Sequence, residues 1–328
     1  MLVLRRSEVQ ALLDLDLLVE ALARAMVEVS AGNVSMPPRT AALVPERDAL
    51  LGVMPVHLPS TGMLETKLVS LFPHNAGTGV PTHQAVIVAF DPETGTPTAL
   101  LDATSITEIR TAAGSALASR VLAREDATIL AIVGTGVQAR SHARAVTRVR
   151  QFTEVRVAGR DSGKAAALAD RLAGELDLVV RPSGSYREAL DGADVVCATT
   201  HAVDPVVRRE WLAPGVHVNS VGLNPQGREV DAETVRDALV VIESRASTLA
   251  AAPAGANDLT WAVRDGVVDQ GHVETEIGEI LAGHKPGRTS LDQITLYKSV
   301  GIAAQDAAAA ALVLAAAADR GAGLEVDI

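Results

Sequence analysis

The stretch ILAIVGTGVQARSHARAV, residues 129–146, opens as an apolar run, breaks at two glycines spaced Gly-x-Gly and continues as a helix-like segment. Gly134, Gly136 and Ala139 make the pattern G-x-G-x-x-A. The first glycine permits a tight turn, the second lets a pyrophosphate approach the backbone, and the alanine lets helix pack closely on strand. The free N–H groups and positive dipole end of the following helix complete a phosphate cradle. Glycine-rich turns are common, so the pattern gains weight from its setting. A second strand-like run, EVRVAGR, ends at Gly159-Arg160-Asp161, where a residue of such a fold meets the adenosine ribose. The stretch therefore predicts a dinucleotide site. Arg160 is placed to stack on adenine and pair with a 2′-phosphate, which favours NADP(H), with NAD(H) the alternative. Asp161 is the NAD-selecting carboxylate instead if the strand end shifts by one residue.

Outward from that motif the chain alternates. From about Thr104 it reads helix (TSITEIRTAAGSALASRVL), strand (ATILAIVG), helix, strand (EVRVAGR), helix (GKAAALADRLAGEL), strand (LVVRP), helix and strand (ADVVCATT). Alternation of this kind predicts a parallel sheet with helices on both faces. VHVNSVG and ALVVIES add two strands, giving a six-stranded, doubly wound, Rossmann-type domain over 119–303. The chain closes with an alanine-rich helix, SVGIAAQDAAAAALVLAAAADRG, which is expected to pack back on the N-terminal part. Residues 1–118 and 304–328 then form a discontinuous second domain of α+β type. Within it, residues 7–30 carry apolar positions at helical spacing (Val9, Leu12, Leu13, Leu17, Leu18, Ala21, Leu22), and Ala-Gly-Asn ends that helix. TAALV, LLGVMPV, ETKLVSLF, QAVIVAFD and TALLD are β-like, with DPETGTP as a hairpin turn, so a mixed or antiparallel sheet is expected. No internal repeat is evident.

Composition bounds the function. Of 328 residues 48% are hydrophobic and 21% charged, and no apolar run approaches the roughly 20 residues that span a bilayer. The first residues, MLVLRRSEVQALLDLDLLVEAL, lack the layout of a signal peptide, so a cytoplasmic protein is expected. The single cysteine, Cys197, sits in a strand-like run and reads as a small buried hydrophobe. A net charge of −11 gives no reason to approach nucleic acid, whose binding rests on Lys and Arg neutralising phosphates. A small-molecule partner is expected, with no metal.

Three cations stand out in the first domain: Arg39 after Met-Pro-Pro, Lys67 in ETKLVSLF and Arg110 in TSITEIRTAAG. Each is isolated among apolar or small residues. A buried cation needs a carboxylate or phosphate partner, and an arginine fork suits both. Ordinary salt bridges to Glu65 or Glu108 are the plain alternative to a ligand.

LGVMPV, ETKLVS, GVPTHQAVIVAFDPETGTPTALLDATSITEIRTAA, IVGTGVQARSH, VHVNSVG and LYKSVGIAAQD, taken together and in order, resemble the ornithine cyclodeaminase/mu-crystallin family. The resemblance runs from about Met36 to Asp306, closer to the mu-crystallin side. It implies a nucleotide-binding domain plus a substrate and dimerisation domain, and hence a homodimer. It implies that Arg39, Lys67 and Arg110 surround a substrate α-carboxylate and the reacting nitrogen. It further implies that Thr111, Gly134, Thr135, Gly136, Val137, Gln138, Arg160, Asp161, Thr199 and the Ser299 region contact the cofactor, with Val221 and Gly222 under the nicotinamide. His83 and Lys298 fall in segments that line the family's active site, His83 on the substrate side and Lys298 on the cofactor side; a structural role is the alternative for each.

Members of this family act on imines of α-amino acids. Ornithine cyclisation additionally needs a carboxylate to manage protons on the δ-amine. In the loop after Val221-Gly222 this chain has Asn224 in the slot of that aspartate, and an amide cannot serve as a general base. Gly52 likewise stands where the cyclising enzymes have a glutamate before Met-Pro. Glu229 and Asp231 remain as acids that could fold inward. The expected activity is thus an NAD(P)H-dependent imine or ketimine reductase, or amino-acid dehydrogenase, on a small 2-imino or cyclic ketimine carboxylate. Lys67 would be the proton donor or an electrostatic group, Arg39 and Arg110 the carboxylate clamp, and Asn224 an amide that orients the iminium or a water. Ornithine cyclodeaminase is the first alternative and a non-enzymatic NADPH-binding protein the second. The loops PHNAGTG and AAPAGAND are expected to set which imine fits.

Overall fold

A computed structural model of the chain describes every residue except Ala252, Pro253 and Ile328, so the AAPAGAND expectation falls partly outside the described residues. In chain order the elements begin β1 (Leu2–Leu4), α1 (Arg6–Leu12), α2 (Leu15–Ser30), β2 (Thr40–Val44), β3 (Ala49–Leu58), β4 (Met63–Leu71), β5 (His83–Phe90), β6 (Pro97–Asp102) and α3 (Ala103–Leu122). There follow β7 (Ile129–Val133), α4 (Val137–Val146), β8 (Glu154–Ala158), α5 (Ser162–Glu175), β9 (Val179–Pro182), α6 (Tyr186–Leu190), β10 (Val195–Ala198) and β11 (His217–Ser220). The chain finishes with α7 (Ala232–Asp237), β12 (Ala238–Ile242), α8 (Arg245–Thr248), α9 (Asn257–Arg264), β13 (Thr275–Glu276), α10 (Ile277–Leu281), β14 (Ile294–Lys298), α11 (Ala303–Arg320) and β15 (Leu324–Glu325). Two compact units result, Met1–Arg110 with Ile302–Ile328, and Thr111–Gly301. The chain thus passes from one to the other inside α3 and again just ahead of α11, against boundaries of 118/119 and 303/304 read from the sequence. No helix among the described residues is long and apolar enough to cross a membrane.

The first unit is a seven-stranded mixed sheet in the order β15-β1-β6-β5-β4-β3-β2, antiparallel except for the β1–β6 pair. Period-two patterning makes it: Met54, Val56 and Leu58 of β3 and Met63, Glu65 and Lys67 of β4 turn to the buried side, and the residues between them stay partly exposed. α11 lies on that buried side against β3, β4 and α2. Its run of alanines, Ala307 to Ala310, is fully enclosed, and small side chains let it approach closely. The N-terminal stretch differs from the single helix expected. Leu2–Leu4 is a strand, and Asp14 starts a new helix by accepting from the N–H groups of Asp16 and Leu17, both at 2.9 Å.

The second unit is an eight-stranded, wholly parallel sheet in the order β13-β12-β14-β11-β10-β7-β8-β9. The doubly wound fold is as expected, with two strands more than the six read from sequence. β13 is only two residues long, and ITLYK of β14 is buried along its whole length, so it shows no alternation. The closing helix correspondingly starts at Ala303, because Gly301 takes a positive φ of 72° just before it. Register aligns the carboxyl ends of four strands: Val133 with Ala198, Ala198 with Ser220, and Ser220 with Lys298.

A buried polar chain threads this unit. Thr295 Oγ1 meets His217 Nδ1 at 2.9 Å, His217 Nε2 meets Asn219 Oδ1 at 3.2 Å, and Asn219 Nδ2 donates to Ser119 Oγ at 2.9 Å. Ser119 Oγ donates to Ser115 O at 2.8 Å, Ser115 Oγ meets His142 Nε2 at 3.0 Å, and His142 Nδ1 meets Gln138 O at 2.7 Å. A carbonyl oxygen only accepts, so His142 carries its proton on Nδ1 and His217 on Nε2. Burial is the main cause that pushes His142 down to about 4 and His217 down to about 3.

Both imidazoles titrate near 6.5 in the unfolded chain. As pH falls below that value the unfolded state binds protons that the folded state refuses, so stability is lost down to about pH 4. Glu65 and Glu229, whose acids are raised, work in the opposite sense. The test is therefore the difference in urea-unfolding free energy between wild type and His142→Gln. It should shrink by about 2 kcal/mol between about pH 7 and about pH 4.5; a difference independent of pH would show that His142 is not held neutral.

Candidate active site

In the first unit, β4 carries Lys67 on the buried face, α3 carries Arg110 on its eighth residue, and α11 brings Asp306 between them. Lys67 Nζ lies 2.5 Å from Asp306 Oδ2, and Arg110 Nε lies 2.9 Å from Asp306 Oδ1. Arg110 Nη1 also donates to Gln305 Oε1 at 3.2 Å, and Lys67 Nζ to Thr107 Oγ1 at 3.4 Å. Asp306, which spacing did not suggest, is thus a shared partner of the two cations. Lys67, Arg110 and Asp306 side chains are 2%, 5% and 0% exposed, so the pairing operates away from water.

Burial lowers the Lys67 ammonium to about 8, although the Asp306 charge opposes this. Burial works to raise Asp306, but Arg110 and Lys67 outweigh it and hold the carboxyl below the ordinary range. Glu65, on the same strand face as Lys67, behaves oppositely. Its side chain is enclosed and neither carboxyl oxygen has a hydrogen-bond partner. Burial, and then the Asp306 charge, push it well above the ordinary carboxylate range. Two cations against one carboxylate leave one positive charge in excess. His83, at the start of β5, joins this group: burial, then Lys67 and Arg110, lower it to about 4, and its Nε2 is buried with no hydrogen-bond partner. Arg39, on the segment ahead of β2, is partly exposed.

In the second unit the glycine motif sits at the carboxyl end of β7. Gly134 has a φ of 123°, and a Cβ there would stand 2.6 Å from Thr199 Oγ1, so only glycine fits. Thr199 is fixed in turn by donating from Oγ1 to Val133 O at 3.0 Å. Thr135 covers Gly159, whose Cβ would meet Thr135 Cγ2 at 2.5 Å. Gly136 is the N-cap of α4, supplies no side-chain cap, and a Cβ there would meet nothing within 4 Å. The first N–H groups of α4 therefore point at open backbone that a phosphate can approach. Val137, the first residue of that helix, is 61% exposed, and Gln138 Oε1 is buried with no hydrogen-bond partner. These features fit a dinucleotide: an uncapped helix N-terminus, a glycine cradle and an orphaned amide oxygen beside it. Arg160 follows β8. Asp161 is the N-cap of α5, its Oδ1 accepting from Lys164 N at 3.0 Å.

Beyond β10 the strand ends hold three of the expected site residues in hydrogen bonds within the chain. Lys298 is fully buried, and Nζ bonds Asp258 Oδ2 at 2.8 Å, Ser220 Oγ at 3.0 Å and Gly222 O at 2.7 Å. That uses the three donors of an ammonium, leaving none for a cofactor. Ser299 Oγ donates to Glu243 Oε1 at 2.8 Å. Asn224 Nδ2 donates to the carbonyls of His201 and Ala202, both at 3.2 Å, and its Oδ1 accepts from Gln226 N at 2.9 Å, so the amide pins its own loop. Glu229 does fold inward, whereas Asp231 caps α7 by accepting from Thr234 N. Thr111 opens this unit on α3, and Val221 and Gly222 follow β11. Sequence reasoning passed over Asp306 and Glu65 as site residues. The signal for Asp306 was available, as an acid set among alanines in the first turn of the closing helix, with two isolated cations elsewhere awaiting a partner.

The model of the ornithine cyclodeaminase/mu-crystallin family matches residues 1–321. The chain is 36% identical over 302 residues to the ketimine reductase mu-crystallin of Mus musculus, covering 91% of each chain. Among solved structures, Thermococcus litoralis Δ1-pyrroline-2-carboxylate reductase, in complex with NADH and L-proline, superposes with a TM-score of 0.95 at 37% identity, over 99% of this chain and 100% of that one. An archaeal alanine dehydrogenase dimer with bound NAD gives 0.91 at 30% identity, over 100% and 99%.

Removing one member of a buried charge cluster leaves the others uncompensated, at a cost of about 3 kcal/mol or more. Asp306→Asn should therefore lose about that much in urea unfolding. Combining it with Lys67→Met should recover part of the loss. A double variant no more stable than D306N alone would mean that Asp306 does not compensate Lys67.

Proposed function

The chain belongs to the ornithine cyclodeaminase/mu-crystallin family, and on that premise we propose that it is an NAD(P)H-dependent reductase of a small 2-imino or cyclic ketimine carboxylate, of the pyrroline- or piperideine-2-carboxylate type. The observation that carries this is the cluster in which two buried cations, Lys67 and Arg110, share the one carboxylate of Asp306. It is matched to one carboxylate. In this reading the unit containing β4 and α11 binds substrate and the unit containing β7 binds the dinucleotide.

Asp306 holds Lys67 and Arg110 in fixed orientations before substrate arrives, so little side-chain entropy is lost when a carboxylate binds. Arg39 adds a second guanidinium to the clamp. The orphaned Nε2 of His83 gives the substrate a neutral hydrogen-bonding partner that does not cancel the positive charge. The reduced nicotinamide supplies a hydride to the imine carbon. Lys67, with its ammonium near 8, gives a proton to the imine nitrogen; it is left neutral and is recharged from solvent. The sum is one hydride and one proton added across C=N, giving the amino acid.

For the cofactor we favour NADP(H). Arg160 is at the ribose end of β8, while Asp161 is engaged as the cap of α5 and so is a poor partner for a ribose diol. A homodimer is supported by the uncovered face of the seven-stranded sheet, where Leu51 and Val86 are 44% and 39% exposed. A cytoplasmic setting fits the buried free thiol of Cys197 and the need for reduced nucleotide.

Purified protein should oxidise NADPH on addition of five- or six-membered cyclic ketimine carboxylates, and faster than NADH. Arg160→Ala should lower that preference roughly 10- to 100-fold, the worth of one charge-assisted pair; an unchanged ratio would leave Arg160 without the selecting role. The pH profile tests Lys67. Because the proton donor must be charged, kcat/KM for imine reduction should fall as pH rises through about 8, and Lys67→Arg should move that limb to higher pH. A limb that stays in place in K67R would assign it to another group.

A further inference from the structure

Glu229 is buried, yet it makes more strong contacts than any surface acid requires. Oε1 accepts from Thr200 N at 2.6 Å and Thr200 Oγ1 at 2.8 Å; Oε2 accepts from Ser220 Oγ at 2.8 Å and Gly222 N at 2.9 Å. Each carboxyl oxygen thus meets one backbone N–H and one hydroxyl, so the group is held from four sides. From the other side Lys298 donates to Ser220 Oγ and to Gly222 O. The N–H and the C=O of one glycine are thereby each held by an opposite charge. Asp258 completes the set: Oδ2 pairs with Lys298, and Oδ1 accepts from the N–H groups of Glu229 and Val230.

The location gives this arrangement its meaning. Residues Ala198 and Ser220 are in register at the carboxyl ends of neighbouring parallel strands, so Thr200 and Gly222 extend side by side from those ends. In a doubly wound sheet the dinucleotide lies across the carboxyl ends, with one half over the first strand and its neighbour and the other half over the strands beyond the switch point. Arg160 after β8 marks the adenosine side, so β10 and β11 lie on the nicotinamide side. Gly222 has no room to move, since a Cβ there would stand 2.4 Å from Thr200 O and 2.7 Å from the Glu229 carboxyl.

We propose that Glu229, backed by Lys298 and Asp258, is a positioning residue that clamps the Gly222 peptide as the surface against which the nicotinamide ring is seated. The proposal rests on the nucleotide reading above. It assigns to Glu229, Lys298 and Asp258 no contact with substrate or cofactor; they act through one backbone unit. Loosening that unit should leave the adenosine and pyrophosphate contacts intact while spoiling the approach of the ring to the imine carbon.

The test uses Glu229→Gln in the full-length protein, with Thr200→Val as a milder variant that removes a single donor and carries the test if E229Q does not fold. Four readouts are taken: NADPH dissociation constant by fluorescence titration, kcat and KM, the primary isotope effect with 4-deuterated NADPH, and hydrogen exchange across 221–223. The expected result is an NADPH dissociation constant within about 3-fold of wild type and kcat lower by about 10-fold, equivalent to about 1.4 kcal/mol of barrier. The isotope effect should rise as the chemical step becomes slower, and exchange at Gly222 should quicken and lose its protection by NADPH. A lower kcat with an unchanged isotope effect would mean a smaller active fraction, a merely structural role, and would overturn the proposal. So would wild-type values on all four readouts. If wild type turns over no imine yet NADPH protects Gly222 only when Glu229 is present, the clamp stands and the reductase reading falls.

Discussion

One carboxylate shared by two cations governs the first unit. Asp306 comes from the last helix, Lys67 from a central strand 239 residues earlier and Arg110 from a helix 196 residues earlier, so the ion cluster ties elements from the two ends of the chain. Such a cluster is a poor source of net stability, because removing three charges from water costs about as much as their attraction returns. Its value lies in specification. α11 is nearly all alanine on its buried side and would slide along the sheet with little penalty. Asp306 permits one register only, the one that satisfies Lys67 and Arg110 together.

The state of Glu65 follows from that constraint. A second negative charge beside Asp306 would have to be desolvated without any hydrogen-bond donor to meet it, which pushes the acid well above the ordinary carboxylate range. Were Glu65 ionised, the positive excess would vanish and with it the attraction for a carboxylate ligand. The same low dielectric that raises Glu65 brings Lys67 down to where its proton is both present and transferable near neutrality. Burial thus sets the protonation of acid and base in one cluster, in opposite charge senses and for one reason.

Legibility in the sequence tracked the range of the interaction. The G-x-G-x-x-A turn depends on residues a few places apart, and Gly134 and Gly136 occupy the positions their spacing announced. Lys67 and Arg110 were visible as cations in apolar surroundings, since the cost of burying a charge shows in a single residue's context. Their partner was not, because nothing local relates Asp306 to a strand 239 residues away. β14 was hidden for a different reason: a strand buried on both faces has no alternation to read. Lys298 and Ser299 were placed on the cofactor side by resemblance alone, and their bonds to Asp258 and Glu243, acids in other segments, had no local signal. A polar residue in sequence does not say which way it faces until its partner is known.

The distribution of acids also separates the two main enzymatic readings. A reaction that expels ammonia from a diamino acid needs a carboxylate free to take and return protons on the second amine. Among the described residues, the acids that fold inward are each committed. Asp306 is held by Lys67 and Arg110, Glu229 by four donors, Asp258 by Lys298 and two backbone N–H groups, Glu243 by Ser299, Tyr297 and the N–H groups of Val300 and Gly301, and Glu276 by Arg245. Asn224 has spent its amide on its own loop. Glu65 remains, but an acid raised by burial cannot act as a base without first paying the desolvation that raised it. Reduction of an imine asks for less: one positive charge to hold the acid group and one titratable proton for nitrogen. In the proposed reading Lys67 and Arg110, fixed by Asp306, supply both.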